Sequence, residues 1–97
     1  MRTPASCLRI EGELTIYRAA ELAEAMKASL AQVPTGGSFE VDLSGVTEMD
    51  SAGVQLLMAA KRSTDESGRV LRLAGSSPAV AEVFRTLQLA SHFGGMH

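Results

Sequence analysis

The sequence predicts an α/β fold in which a four-stranded mixed sheet, mainly parallel with an antiparallel edge strand, is packed by about three helices. Stretches of alternating apolar and polar residues are interspersed with stretches whose apolar residues recur every three to four positions, which is typical of this class. Two strand-helix-strand units imply parallel pairing with right-handed crossovers. The first two strands are close enough in sequence to form a hairpin, which supplies the antiparallel edge.

The hairpin is predicted from the stretches CLRIEG and ELTIY. Leu8 and Ile10 alternate with polar residues in the first stretch, and Leu14 and Ile16 do so in the second. The pair Gly12–Glu13 lies between them and favours a tight turn or a bulge. We therefore expect two short strands joined at this pair.

A first helix is predicted from Arg18 to Gln32, because Leu22, Met26 and Leu30 recur every four residues. The stretch VPTGGS then forms a loop, since proline stops the helix and the glycines favour a flexible connection.

The strand that follows, SFEVDLSG, has the clearest alternation in the chain. The stretch VTEMD is expected to connect it to a second helix from about Ser51 to about Ser67, with Gly68 as the C-terminal cap. The stretch VLRLAG predicts the last strand. The third helix begins after Ser77, a good N-cap, with Pro78 in its first turn.

Composition limits the classes of function. A chain of 97 residues accommodates one domain, residues 1–97, and a net charge of −2 gives no reason to expect nucleic acid binding. No apolar run is long enough to span a membrane and no signal peptide is present, so a cytoplasmic protein without membrane insertion is expected. The single Cys7 excludes an internal disulfide, and we expect a buried, inert thiol there.

Catalytic and cofactor motifs are missing from the sequence. There is no phosphate-binding loop, no nucleophile elbow and no set of residues spaced as a triad or a zinc site. The acidic pair Glu48 and Asp50 is expected to be solvated rather than to perform acid–base chemistry. We therefore predict a protein that is not an enzyme and has no cofactor.

The stretch MDSAG, residues 49–53, is the candidate site. Asp50 or Ser51 suits the N-cap of the second helix, and Gly53 is small where the sheet or a loop comes close. The same position also suits a phosphoryl group, because a helix N-terminus offers free N–H groups and the positive end of a dipole. The residues alone favour the cap and leave both roles open.

Three stretches resemble the STAS domain family of bacterial anti-sigma factor antagonists and sulfate-transporter cytoplasmic domains. They are IEGELT, VDLSGVTEMDSAGVQLLMAAKR and LRLAGSSPAVAEVFRTLQL, which together cover nearly all of residues 8–89. The signature D-S-x-G-[VL]-x-x-L falls on Asp50 to Leu57 in this resemblance. The chain carries no linked transporter segment, so the sulfate-transporter arrangement is not expected.

The resemblance implies a regulatory cycle. In antagonists of this family the serine after the aspartate, here Ser51, is phosphorylated by an anti-sigma factor, a serine kinase with a histidine-kinase-like ATPase fold. The unmodified antagonist binds that anti-sigma factor and frees the sigma factor, the phosphorylated form releases it, and a PP2C-type phosphatase resets the serine. Ala52 stands where family members often carry a second hydroxyl.

The resemblance also implies a partner-binding surface and an alternative role. The surface comprises Asp50, Ser51, Gly53, Thr47 and Glu48, with Gly12, Glu13 and Thr15 beside it. Thr15 replaces the acid of the antagonists' usual motif, and this segment looks more like STAS proteins of chemotaxis gene clusters and of lipid-transport ATPases. The alternative is therefore a non-enzymatic scaffold subunit of such a complex. A monomer or weak dimer is expected in either case.

Overall fold

The computed structural model describes residues 6–89. Strands and helices alternate along this part of the chain, in the order β1 (Ser6–Leu14), α1 (Ala19–Leu30), β2 (Ser38–Met49), α2 (Ser51–Glu66), β3 (Val70–Ser76) and α3 (Pro78–Leu87). The three predicted helices and the α/β class are confirmed, with the helix boundaries within two residues of those expected.

The sheet differs from the prediction. β2 lies in the centre, and β1 and β3 pair with it in parallel on either side. The predicted hairpin is wrong: residues 6–14 form one strand, and within residues 6–89 the sheet has three parallel strands and no antiparallel edge. Gly12 has a φ of 81° and lies where the pairing of β1 with β2 shifts register. The glycine therefore forms a bulge within a continuous strand instead of a turn between two strands.

The connection expected at VTEMD is also mostly strand. β2 extends to Met49 because β1 continues to pair with it, with Glu13 opposite Glu48 and Leu14 opposite Met49. Only Asp50 separates the end of β2 from the start of α2. The first turn of α2 is consequently fixed directly at the carboxyl edge of the sheet.

One face of the sheet forms the core. Phe39, Val41 and Leu43 of β2 are fully buried, and α1 and α2 pack beside each other, as two right-handed crossovers in the same direction require. The fully buried core side chains of largest volume are those of Phe39, Ile10, Leu14, Leu43, Leu57, Val33, Val41, Val46 and Val80. α3 packs chiefly against β2.

The opposite face of the sheet is polar, and Cys7 lies on it. The residue is exposed, so the expectation of a buried thiol is wrong. Cys7 shares its side of β1 with Arg9, which forms ion pairs with Glu11 and Asp42. Partial burial, with the nearby carboxylates of Glu40 and Asp42, raises the pKa of the Cys7 thiol. A raised pKa keeps the thiol protonated, which disfavours nucleophilic chemistry.

Candidate functional site

The start of α2 is organised by Asp50. Its Oδ1 accepts a hydrogen bond from the backbone N–H of Gly53 at 3.1 Å, which makes Asp50 the N-cap. Ser51 is then the first residue of the helix, and its side chain is exposed. The Ser51 hydroxyl forms no hydrogen bond to any residue of the described part of the chain. Of the two cap candidates, the carboxylate takes this role and the hydroxyl is left accessible.

The second carboxylate oxygen of Asp50 binds a different part of the chain. Its Oδ2 accepts a hydrogen bond from the backbone N–H of Ile16 at 3.1 Å, and the Asp50 N–H donates to the Leu14 carbonyl at 3.4 Å. The hydrogen bond from Ile16 is the main cause that lowers the pKa of Asp50, and the bond from Gly53 adds to it. Asp50 therefore joins the end of β1 to the first turn of α2 and remains ionised at neutral pH.

Gly53 allows the first turn of α2 to pack closely against Leu14 at the end of β1. The residue is buried, and a Cβ added at this position would lie 2.3 Å from the Leu14 carbonyl oxygen and 3.0 Å from its Cγ. Any larger residue would push α2 away from the end of β1. The contribution of Gly53 to a partner surface would thus be indirect, through the position of Ser51.

The remaining predicted site residues lie along the same edge. Thr47 and Glu48 are exposed at the end of β2, and Glu13 is paired in register with Glu48. Thr15 is only 5% exposed, and its hydroxyl donates to Glu13 Oε1 at 2.9 Å. Gly12 lies at the bulge and is half-buried. The fold brings all eight predicted residues to the carboxyl ends of β1 and β2. Five of them have polar side chains that are exposed or half-buried. The other three are Gly12, which forms the bulge, and the buried Gly53 and Thr15.

The sequence does not predict a groove that lies beside Ser51 in the structure. α3 runs past the start of α2, and the two helices with the end of β2 form a largely apolar groove lined by Met49, Asp50, Ser51, Val54, Glu82, Val83, Thr86 and Leu87. Leu87 is 53% exposed in this groove. The sequence contains no separate signal for the groove, because Val83 and Leu87 follow the same helical spacing as the buried Val80 and Phe84.

Two more exposed apolar side chains flank the site on its other side. Ile16 and Tyr17 are 63% and 88% exposed in the turn between β1 and α1, and the Ile16 N–H contacts Asp50. Both were expected in a strand. Ile16, Tyr17 and Leu87 are three of the four exposed large apolar residues of residues 6–89, and all three lie near the start of α2. Clustering of this kind is typical of an interaction surface.

Residues 6–89 contain no group of three or more histidine, cysteine, aspartate or glutamate side chains able to hold a metal ion. Among the helices of this range, none combines the length and the hydropathy that a membrane span requires. The arrangement at the edge of the sheet is thus one of an accessible hydroxyl, acidic side chains and exposed apolar side chains.

The α/β domain with this helix start matches a known protein family. The family model described as "Mlab, STAS domain" matches residues 2–94. The chain therefore belongs to this STAS family. No curated protein matches the sequence.

Solved structures support the same fold. The chain is 24% identical to an anti-sigma factor antagonist from Mycobacterium paratuberculosis, with a TM-score of 0.78 over 99% of this chain and 80% of that one. A sulfate transporter family protein from Wolinella succinogenes is 19% identical, with a TM-score of 0.72 over 97% and 76% of the two chains. The SulP transporter STAS domain from Vibrio cholerae is 19% identical, with a TM-score of 0.69 over 97% and 71%. At these identities the similarity establishes the fold.

Proposed function

We propose that this chain is a regulatory protein-binding domain, an antagonist that binds a serine-kinase anti-sigma factor and is switched off by phosphorylation of Ser51. The observation that carries the proposal is the environment of the Ser51 hydroxyl. The hydroxyl is exposed and free of hydrogen bonds in the described part of the chain, because Asp50 caps the helix in its place. A kinase can therefore reach it without disrupting the helix start.

The groove beside Ser51 explains why modification would release a partner. A partner side chain seated on Met49, Val54 and Leu87 excludes water from the neighbourhood of the Ser51 hydroxyl. A neutral hydroxyl tolerates this environment, whereas a phosphoryl group carries a charge of about −2 that is costly to desolvate without a cation. The unmodified form would thus bind and the phosphorylated form would dissociate.

The chemistry of the switch balances without any catalytic group on this chain. The Ser51 oxygen attacks the γ-phosphorus of ATP held by the kinase, the bond from that phosphorus to the β,γ-bridging oxygen breaks, and ADP leaves while the hydroxyl proton passes to the kinase or to water. A PP2C-type phosphatase returns the hydroxyl by hydrolysis, with inorganic phosphate as the product. This chain supplies the acceptor oxygen and the position of the helix start.

A kinase assay tests the proposal. The protein is incubated with ATP and each candidate serine-kinase anti-sigma factor of its genome, and the phosphate is mapped by mass spectrometry. We expect modification at Ser51 alone and none in Ser51→Ala. Ser51→Asp should weaken kinase binding at least about tenfold, or ~1.4 kcal/mol. Ser63→Asp is the matched control, since Ser63 is exposed on the same helix about 18 Å away at 1.5 Å per residue. An unmodified Ser51, with equal affinities for both aspartate variants, would contradict the switch.

The second candidate is a constitutive scaffold subunit of a chemotaxis cluster or a lipid-transport ATPase complex. The exposed Ile16, Tyr17 and Leu87 favour it, since a lasting interface buries more apolar surface than a transient one. Co-purification of such a complex, unchanged by Ser51→Ala and lost in Leu87→Asp, would support the scaffold. Loss of the complex in Ser51→Asp alone would instead favour the switch.

A further inference from the structure

The turn between β1 and α1 presents apolar side chains to water and yet is held firmly. Tyr17 and Ile16 are largely exposed, while Thr15 is buried at the base of the turn. The turn closes through a hydrogen bond from the Arg18 N–H to the Thr15 carbonyl at 3.0 Å. The Arg18 guanidinium donates to the carbonyl of Glu13 at 3.0 Å and to that of Glu11.

All of these contacts lie within the segment from β1 to α1. The contact that fixes the apolar part of the turn to the rest of the site is the hydrogen bond from the Ile16 N–H to Asp50 Oδ2, which joins residues 34 positions apart. The other oxygen of the same carboxylate caps α2. One side chain, next to Ser51 in sequence, therefore sets both the helix start and the turn.

We propose that Asp50 is a latch that couples the state of Ser51 to the conformation of the Ile16–Tyr17 turn. The proposal rests on the phosphorylation of Ser51 argued above. A phosphoryl group on Ser51 places a dianion beside the Asp50 carboxylate and competes with it for the free N–H groups of the first turn of α2. Repulsion between the two anions pushes the Asp50 carboxylate away from the Ile16 N–H. The turn then loses the hydrogen bond that joins it to the start of α2.

The consequence is that phosphorylation alters two parts of the surface. It adds charge at the groove between α2 and α3, and it loosens the apolar turn on the other side of Ser51. The change is measurable in the protein alone, without a partner. Tyr17 is the single tyrosine of a chain without tryptophan, so tyrosine fluorescence reports on this turn.

The test compares four proteins: the native chain, the chain with phosphoserine installed at position 51 during translation, Asp50→Asn, and a control with phosphoserine at position 63. Asparagine still caps a helix with its one carbonyl oxygen, but its amide nitrogen cannot accept from the Ile16 N–H. Hydrogen exchange of the Ile16 amide, measured by NMR, and the fluorescence anisotropy of Tyr17 are the readouts.

We expect phosphoserine 51 and Asp50→Asn each to accelerate exchange of the Ile16 amide at least about fivefold and to lower the anisotropy of Tyr17, as loss of one hydrogen bond implies. Phosphoserine 63 should leave both unchanged. Unchanged exchange at Ile16 in the phosphoserine 51 protein would overturn the latch, whatever Asp50→Asn does. The phosphoserine is installed without a kinase, so this test is independent of the kinase assay. If the latch responds to phosphoserine 51 but the kinase assay finds no modification of Ser51, the proposed switch is refuted and the coupling stands.

Discussion

The first turns of α2 and α3 have the same plan and differ at three positions. Each helix follows a strand of the sheet, and each begins with a side chain that caps the N–H three residues further on: Asp50 to Gly53 and Ser77 to Val80. In α3 the cap is buried, with Ser77 5% exposed, and Pro78 occupies the first helical position. In α2 the cap is an ionised carboxylate and the first helical position holds the exposed Ser51.

The difference separates a structural helix start from an accessible one. The α3 start has no free hydroxyl, since the Ser77 oxygen accepts the hydrogen bond from the Val80 N–H. Val80 itself is packed in the core. The α2 start assigns capping to Asp50 and close packing to Gly53, so that Ser51 carries no structural duty. Serine at a helix start is therefore informative only once its neighbour's role is known.

The largest expected effect is at Gly53, the third helical position of α2. Gly53→Ala should lower the free energy of unfolding by about 3 kcal/mol, because the added Cβ meets the backbone of Leu14, which cannot move aside as a flexible side chain can. Urea unfolding followed by circular dichroism measures the change. Ala52→Ser in the same turn, at a half-buried position, is the control and should have little effect. Equal stability of Gly53→Ala and the native chain would show that α2 adjusts freely at this contact.

The buried cap of α3 gives the next largest effect. Ser77→Ala should reduce the free energy of unfolding by about 1–2 kcal/mol, since the Val80 N–H loses its acceptor in a buried site. The same urea titration measures it, and Ser77→Asn, which retains an acceptor, should recover part of the loss. If the alanine variant is as stable as the native protein, the cap of α3 is not the structural counterpart of Asp50.

The pH dependence distinguishes the two caps, because only Asp50 carries a charge. Folding lowers the pKa of Asp50, chiefly through the N–H of Ile16, so its contribution to stability is complete above its ordinary value of about 3.9 and declines as pH falls through the lower folded value. Asp42 behaves similarly through its hydrogen bonds from Ser44. The difference between native protein and Asp50→Asn, followed by urea unfolding from about pH 6 to about pH 2.5, isolates Asp50.

We expect the native protein to lose its advantage over Asp50→Asn as the solution is acidified below about pH 4. The difference for Ser77→Ala should stay constant over the same range, since no titrating group is removed. A constant difference for both variants would mean that the Asp50 carboxylate contributes nothing beyond a neutral cap.

The smallest effect is expected at Ser51. Ser51→Ala should change the free energy of unfolding by less than about 0.5 kcal/mol, because the hydroxyl is exposed and makes no hydrogen bond within residues 6–89. Thermal and urea unfolding measure this. A loss as large as that of Ser77→Ala would place Ser51 among the structural groups and weaken its assignment as the phosphorylation site.

Much of this fold was predictable from local patterns. The alternation in β2, the periodicity of the helices and the Ser77–Pro78 helix start each reflect short-range physics, and the structure confirms them. Gly12 shows where such patterns fail. A glycine with positive φ suits a hairpin turn and a bulge equally, and only the pairing of β1 with β2 over its whole length decides for the bulge.

The part of the candidate site that lies in one short segment could also be predicted from the sequence. Asp50, Ser51 and Gly53 are adjacent in sequence, so a motif could indicate them. The groove with Val83 and Leu87 and the contact of Ile16 with Asp50 depend on distant segments that the sheet brings together. Whether an apolar side chain is exposed depends on the folded surface. The alternation of apolar and polar residues in ELTIY therefore predicts a strand at Ile16, whereas the folded chain has an exposed turn there.

The guanidinium of Arg18 lowers the entropic cost of binding a partner. By binding the carbonyls of Glu11 and Glu13 it fixes the turn that carries Tyr17 before any partner arrives. Ordering a residue's backbone costs about 1–2 kcal/mol, and a surface ordered in advance does not lose that free energy on association. A partner would then meet a preformed contact, whereas a chain with a released turn would have to order it in every encounter.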